Sequence, residues 1–183
     1  FLHYEKGIMQ IDWLDDDLLW NRDRALLLFK RMTEELPNLE WICNNGLIAA
    51  VIDEELMEWM VRSGMKAFKV GIESGNNAML KRIKKPTSKR KLMAVSPIFK
   101  KYPEVLCSGN YIIGFPNETF QEMLDTYELS RTLNWDWASF YLCQPLKGTE
   151  MFSVFENLDD ERIKKENYDK LTNPGRSAVR GEF

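Results

Sequence analysis

The chain has 183 residues, 44% hydrophobic and 29% charged, with a formal net charge of −3; this suits one globular body with a real core and gives no electrostatic argument for a nucleic-acid partner. No apolar run approaches the roughly 18 residues that a membrane span needs, and no leader-like segment opens the chain, so the expectation is a cytoplasmic protein with no membrane partner. Cys43, Cys107 and Cys143 are odd in number and far apart, unlike a secreted disulfide framework, and with His3 as its single histidine the segment excludes histidine-based zinc sites and Ser-His-Asp chemistry.

In chain order, residues 7–14 form an apolar-rich strand, and Asn21 then offers an N-cap for a helix carrying Ala25, Leu28, Phe29, Met32 and Leu36 on one face, stopped by Pro37. Residues 39–43 are the second strand. Asp53 caps a helix with Leu56, Met57, Met60 and Val61 inward and Gly64 just past its end, and residues 67–72 make the third strand. Two helices follow, over 76–83 and 88–102, separated by Pro86. Residues 105–113 are the fourth strand, and Thr119 with Glu122 forms a capping box for a helix expected to bury Phe120, Met123, Leu124, Tyr127 and Leu133. Residues 137–142 are the fifth strand. Beyond Met151 the pattern decays into a charged helix over 159–171 and a polar tail over 172–183, so the chain divides into a body over 1–152 and a charged helix and tail over 153–183. Residue 1 is Phe, which reads as a processed chain or a piece of a longer one.

Strand ends at Leu14, Cys43 and Ile72 are 29 residues apart, as are those at Ile113 and Leu142, and the gap between Ile72 and Ile113 holds the extra helix. Short runs buried on both faces, each followed by an amphipathic helix, imply a parallel sheet covered by helices. Five strands do not close a barrel, so either the sheet is open or further barrel strands lie outside the sequence. Polar and glycine residues gather just past each strand end, on the carboxyl edge where α/β proteins bind ligands.

Five groups there can carry chemistry. Asp15 and Asp16 could hold a metal or an amino group, or simply cap the next helix. Asn44, Asn45 and Gly46 read equally as turn chemistry. Glu73, in Gly71-Ile72-Glu73-Ser74-Gly75, can accept hydrogen bonds from a ribose hydroxyl or an ammonium group, or cap the next helix or pair with a loop lysine. The run from Ile112 through Ile113, Gly114, Phe115, Pro116, Asn117 and Glu118 to Thr119 could cradle a flat adenine, or be a well-made strand-to-helix turn. Pro145, Gly148 and Thr149 mark the exit of the fifth strand. The basic stretch 81–91 reads as a solvated helix corner or as an anion or RNA contact.

Singly weak, these signals in this order resemble the radical S-adenosylmethionine (SAM) enzymes, in the part of the core often found behind a cobalamin-binding domain. The resemblance rests on Asp15-Asp16 with Asn21 and Arg24-Ala25; on Asn45-Gly46-Leu47 with Asp53-Glu54-Glu55-Leu56, Met60 and Ser63-Gly64; on Gly71 to Gly75 with Leu80 and Lys84 or Lys85; and on Gly114 to Thr119 and Pro145 with Gly148-Thr149. It implies a partial parallel (β/α) barrel with about five strands present and the first strand and cluster loop missing. It further implies SAM bound across the carboxyl edge and cleaved to a deoxyadenosyl radical for methyl transfer or another radical reaction. By the same resemblance Asp15 and Asp16 lie near the methionine end of SAM, Glu73 and Ser74 near its ribose or amino group, and Ile113, Gly114, Phe115 and Glu118 near adenine, with Asn45 a further cofactor-binding residue. Leu142, Cys143 and Gln144 complete the pocket or face substrate.

The family's 4Fe-4S cluster is held by a Cys-x3-Cys-x2-Cys loop, which these three cysteines cannot form, so the ligands are expected upstream and the segment alone is expected to be catalytically silent. Ile48 stands where relatives commonly carry Arg. The implied partners are a small-molecule or cofactor-linked substrate and an electron-donor protein, with cobalamin as a second cofactor. Two other readings stand beside this one: a cofactor-independent α/β-barrel lyase or isomerase with Glu73 or Glu118 as general base, and a noncatalytic α/β binding module.

Overall fold

The computed structural model describes residues 1–144 and 146–156. A short helix α1 (Leu2–Lys6) leads into β1 (Gln10–Asp12), α2 (Arg22–Glu35), β2 (Glu40–Leu47), a 3-10 turn (Ala49–Val51), α3 (Glu54–Arg62), β3 (Met65–Glu73), α4 (Asn77–Arg82), α5 (Lys89–Phe99), β4 (Leu106–Ile113), α6 (Phe120–Leu133), β5 (Trp137–Leu142) and α7 (Glu150–Glu156). Every strand pairing is parallel, and the spatial order β1-β2-β3-β4-β5 is also the chain order. A parallel sheet that never reverses its order is a piece of barrel wall; a doubly wound sheet turns back on itself.

Each crossover helix starts where its sequence supplies a cap. Asn21 accepts the Arg24 N–H at 2.9 Å, Asp53 the Leu56 N–H at 2.9 Å, and Ser88 the Lys91 N–H at 3.3 Å. Thr119 and Glu122 form the reciprocal capping box of α6. Past α3 the chain turns at Gly64, whose φ is +99° and where a Cβ would stand 1.9 Å from the Leu39 carbonyl oxygen, so both the turn and the packing require glycine.

Period-two alternation sorts the sheet into two faces. Trp41, Cys43, Phe68, Val70, Ile72, Cys107 and Tyr111 are buried in the core with residues of the helices. Phe29 of α2 stacks on Trp41 at 5.2 Å, and Phe99 of α5 meets Phe68 edge-on at 4.9 Å, geometries that add roughly 0.5–1.5 kcal/mol each beyond area burial. The Trp41 indole N–H donates to Ser63 Oγ at 2.9 Å, so this buried ring keeps its polar edge paired. The opposite face carries Ile42, Asn44, Lys69, Gly71, Ser108, Asn110, Ser139 and Tyr141, and belongs to the barrel interior.

The structure departs from the sequence reading in four places. β1 is three residues long because Gly7, at φ +68°, ends α1 and Ile8 N–H bonds the Leu2 carbonyl, so residues 7 and 8 serve the turn. β2 runs on to Leu47: Cys43 pairs with Phe68 and Leu47 with Val70, so Asn44, Asn45 and Gly46 oppose Lys69 in a wide irregularity inside the strand. On α6, Leu133 is buried as expected and Met123 is half-buried, but Phe120, Leu124 and Tyr127 are exposed, because the stripe facing the core is Thr126, Leu129 and Leu133. The helices α1 and α7 themselves carry no strong sequence signal. Pro145, the charged helix over 159–171 and the tail over 172–183 lie outside the described residues.

Candidate active site at the carboxyl edge of the sheet

Because all five strands point the same way, their carboxyl ends share one rim. At the β1–β2 corner Asp12 accepts the Asn44 backbone N–H at 3.1 Å and its amide Nδ2 at 2.9 Å. Asn45 Nδ2 donates to the Asp15 carbonyl at 2.9 Å, so these two expected site residues adjoin. The Asp15 carboxylate accepts the Asp17 N–H at 3.2 Å and lies 3.8 Å from the Arg24 guanidinium. Asp16 is exposed and takes no hydrogen bond or ion pair among the described residues.

The end of β3 is contorted. Gly71 pairs with Asn110 but Glu73 with Tyr111, so one residue is extra, and Glu73 adopts φ +68°, a left-handed conformation costing about 1–2 kcal/mol for a residue with a Cβ. The bend turns the Glu73 carboxylate back over Gly71, where a Cβ would sit 3.1 Å from Oε1 and 3.2 Å from Lys85 Nζ. Lys85 donates to Oε1 at 2.9 Å, a partly buried ion pair over a glycine floor. Ser74 is fully buried: its Oγ lies 3.2 Å from Thr126 Oγ1 and accepts the Asn76 N–H at 3.1 Å, so its side chain ties the loop to α6 and is not presented to the rim. Gly75 N–H donates to Thr126 Oγ1 at 3.0 Å, and a Cβ on Gly75 would stand 2.4 Å from the Asp125 carbonyl oxygen.

After β4, Gly114 has φ +79° and open space where a Cβ would point. Glu118 folds back so that Oε2 accepts the N–H groups of Gly114 at 2.6 Å and Phe115 at 3.1 Å, while Oε1 is buried without a hydrogen-bond partner. Burial pushes the Glu118 carboxyl above its ordinary pKa against the pull of those two N–H groups. Phe115, Met79 and Cys143 form a small apolar cluster with Ile83, Ile112 and Met151 packed against it. The Cys143 thiol is pushed up to about 12, chiefly by burial and then by the Glu118 and Glu73 carboxylates, an electrostatic mark that both lie around it. Leu142 pairs in register with half-buried Ile113 and is itself exposed, as is Gln144.

The rim therefore gathers the expected residues at one edge, with Ser74 turned inward. Lys85 is the loop lysine that pairs with Glu73, as one reading of that carboxylate expected; which lysine it would be was not legible, because a lysine 12 positions on in a basic stretch carries no mark of its fold-back. Asp12 and Met79 were hidden; for Asp12 only the alternation of β1 hints at the face it shares with Asn44. Cys43, Cys107 and Cys143 are each buried, and among the described residues no three His, Cys, Asp or Glu side chains converge on a metal position. No helix among the described residues is long and apolar enough to cross a membrane.

Residues 2–130 match the model of the radical SAM superfamily, and the chain belongs to that superfamily. It is 30% identical over 159 residues to an uncharacterized methyltransferase of Pyrococcus horikoshii, covering 86% of this chain and 34% of that protein. It is 32% identical over 160 residues to cytidylyl-2-hydroxyethylphosphonate methyltransferase of Streptomyces wedmorensis, covering 82% and 29%. The chain thus spans 34% or less of the length of these two relatives. Among solved structures, the radical SAM methyltransferase TsrM of Kitasatospora setae, with cobalamin and a 4Fe-4S cluster bound, superposes with a TM-score of 0.68 at 14% identity over 79% of this chain and 29% of that one. Coproporphyrinogen III oxidase (HemN) of Escherichia coli, a radical SAM enzyme, gives 0.62 at 15% identity over 81% and 34%. These likenesses carry the α/β partial-barrel fold.

Proposed function

We propose that this segment is the SAM-binding wall of a radical SAM enzyme whose full-length form carries out methyl transfer or another radical reaction on a small molecule. The observation that supports it most directly is the rim. Gly114 leaves space for a flat ring beside the Phe115 cluster, Glu118 keeps one buried oxygen without a partner there, and Lys85 holds the Glu73 carboxylate over Gly71 at the end of the adjoining strand. In this reading the adenine lies over Ile113, Gly114 and Phe115 with Glu118 at its polar edge, and Leu142 and Gln144 close the side. Glu73 receives the ribose hydroxyls or the amino group, with Ser74 positioning the loop from beneath. Asp15, Asp16 and Asn45 face the methionine end.

The described residues fit a nucleoside but not an iron–sulfur cluster, since the three cysteines are separately buried. The 4Fe-4S ligands are therefore assigned outside this sequence, with an electron-donor protein and, as in TsrM, cobalamin as further participants of the whole enzyme. When bound, such a cluster supplies the single electron that breaks a carbon–sulfur bond of SAM, chemistry beyond side chains. What this chain's residues contribute is orientation: a carboxylate on the ribose, an apolar bed for the ring, and exclusion of water by the Phe115 cluster.

The test is calorimetric titration of S-adenosylhomocysteine into the full-length protein. Glu73→Gln, which weakens the acceptor, and Gly114→Ala, which fills the open space, are each expected to lower affinity about tenfold or more. Binding that is absent in the wild type, or unchanged by both substitutions, would overturn the assignment.

A further inference from the structure

On the interior face of the sheet, below the rim, Lys69 stands out. It lies on β3 between the buried residues Phe68 and Val70, so its side chain leaves on the face opposite the helices, where it is half-buried. Unlike Lys85, which is spent on Glu73, it forms no ion pair or hydrogen bond among the described residues. A cation on this interior face with no counter-charge among the described residues is a ready partner for an anion.

Its strand neighbours point to the same ligand. Lys69 is in register with Ser108 of β4, which is only 3% exposed and whose Oγ is buried without a hydrogen-bond partner. One step toward the rim, Asn110 lies between Gly71 and Ser139 in register, and its Oδ1 is likewise buried and unpartnered. Ser108 and Asn110 share the interior face because Cys107 and Tyr111 are in the core and a Cβ on Gly109 would meet the Tyr111 and Ile72 side chains. The acids of β1, β2 and β3 are already engaged: Asp12 by Asn44, Glu40 by Gln10 and Lys66, and Glu73 by Lys85. Native interiors leave few polar groups unpaired, and two on adjacent interior positions beside a free cation describe a site complete only with a ligand.

We infer that Lys69 and Ser108 form a specificity subsite for an anionic group, carboxylate or phosphoryl, of the small-molecule substrate, with Asn110 taking a hydrogen-bond donor on the same molecule. This rests on reading the rim above as the SAM site, since the subsite lies deeper along the same strands and would hold the substrate beneath the nucleoside. Lys69 and Ser108 act by binding and orienting the substrate, not by reacting with it.

Inorganic phosphate and acetate, as separate probes, are titrated by calorimetry into the full-length protein and its Lys69→Met and Ser108→Ala variants, with S-adenosylhomocysteine titrated in parallel. Lys69→Met keeps the length of the stem and removes the charge. The expected result is that phosphate, acetate or both bind the wild type, about tenfold or more weaker in Lys69→Met and several-fold weaker in Ser108→Ala, with S-adenosylhomocysteine affinity unchanged. Preference for phosphate marks a phosphoryl substrate and preference for acetate a carboxylate. Anion binding that is absent, or equal in wild type and Lys69→Met, overturns the subsite. Loss of S-adenosylhomocysteine binding in the wild type instead fells the reading of the rim, whatever the anions do.

Discussion

Replacing Gly75 by alanine probes the joint that positions the β3 rim. The new methyl would lie 2.4 Å from the Asp125 carbonyl oxygen and 2.7 Å from Thr126 Cα, both backbone atoms of α6 that cannot swing aside. An ordinary carbon–oxygen contact is about 3.3 Å or more, so the loop must retreat by roughly 1 Å. That retreat stretches the Gly75 N–H bond to Thr126 Oγ1 at 3.0 Å and the Asn76 Nδ2 bond to Asp125 at 2.7 Å. Overpacking costs about 1–3 kcal/mol and a buried donor left unpaired about 1–3 more. A total near 3 kcal/mol corresponds to a fall in melting temperature of roughly 6–12 °C for a domain of this size. Thermal unfolding followed by far-ultraviolet circular dichroism measures it. Thr126→Ala removes the same hydrogen bond, so the double variant is expected to lose less than the two single losses together. A Gly75→Ala protein that melts within about a degree of wild type would refute the reasoning, because the loop would then have taken in the methyl without losing these contacts.

Glu118 makes the fold sensitive to pH. Its folded pKa is raised above the ordinary value, so folding favours the protonated form; its contribution is largest in acid and declines as pH rises from the unfolded pKa toward the folded one. Urea midpoints over that range should therefore fall in wild type relative to Glu118→Gln, which cannot titrate, and parallel curves would contradict the assignment. Removing both acceptor contacts with Glu118→Ala is expected to cost about 2–4 kcal/mol in the same assay, and a loss below about 0.5 would show that the Gly114 turn holds itself. The three thiols are buried, and burial raises each pKa, so a disulfide reagent added to native protein should label them only at the rate of opening. Immediate stoichiometric labelling would show one to be accessible.

Much of this architecture was legible in the residues. The caps at Asn21, Asp53 and Thr119 are local chemistry, and the 29-residue rhythm of strand ends follows from one strand plus one crossover. The joint pattern of acids and glycines likewise pointed to the family before any coordinates. Hidden were features that depend on register. Asn44-Asn45-Gly46 looks like a loop because Asn-Gly is turn chemistry, yet neighbouring strands draw it into β2 as an irregularity. Ser74 looks like a ligand group beside Glu73, but the extra residue at the β3 end sends it to Thr126. The apolar spacing of α6 promised burial of Phe120, Leu124 and Tyr127, while the exposure of that flank depends on what packs beside it, which the helix's own periodicity does not report. Lys69, Ser108 and Asn110 were invisible as a group because they lie on two strands 39 positions or more apart and meet only through pairing.

The unreversed strand order has a consequence for how such a protein diversifies. A doubly wound sheet offers its crevice at the single place where the order turns back, so ligand recognition is concentrated in two loops. Here no such place exists, and each of the five strands delivers its own short segment to the same opening. One segment can then be exchanged while its neighbours keep their places, which lets a lineage alter the opening one loop at a time without rebuilding the sheet that carries them.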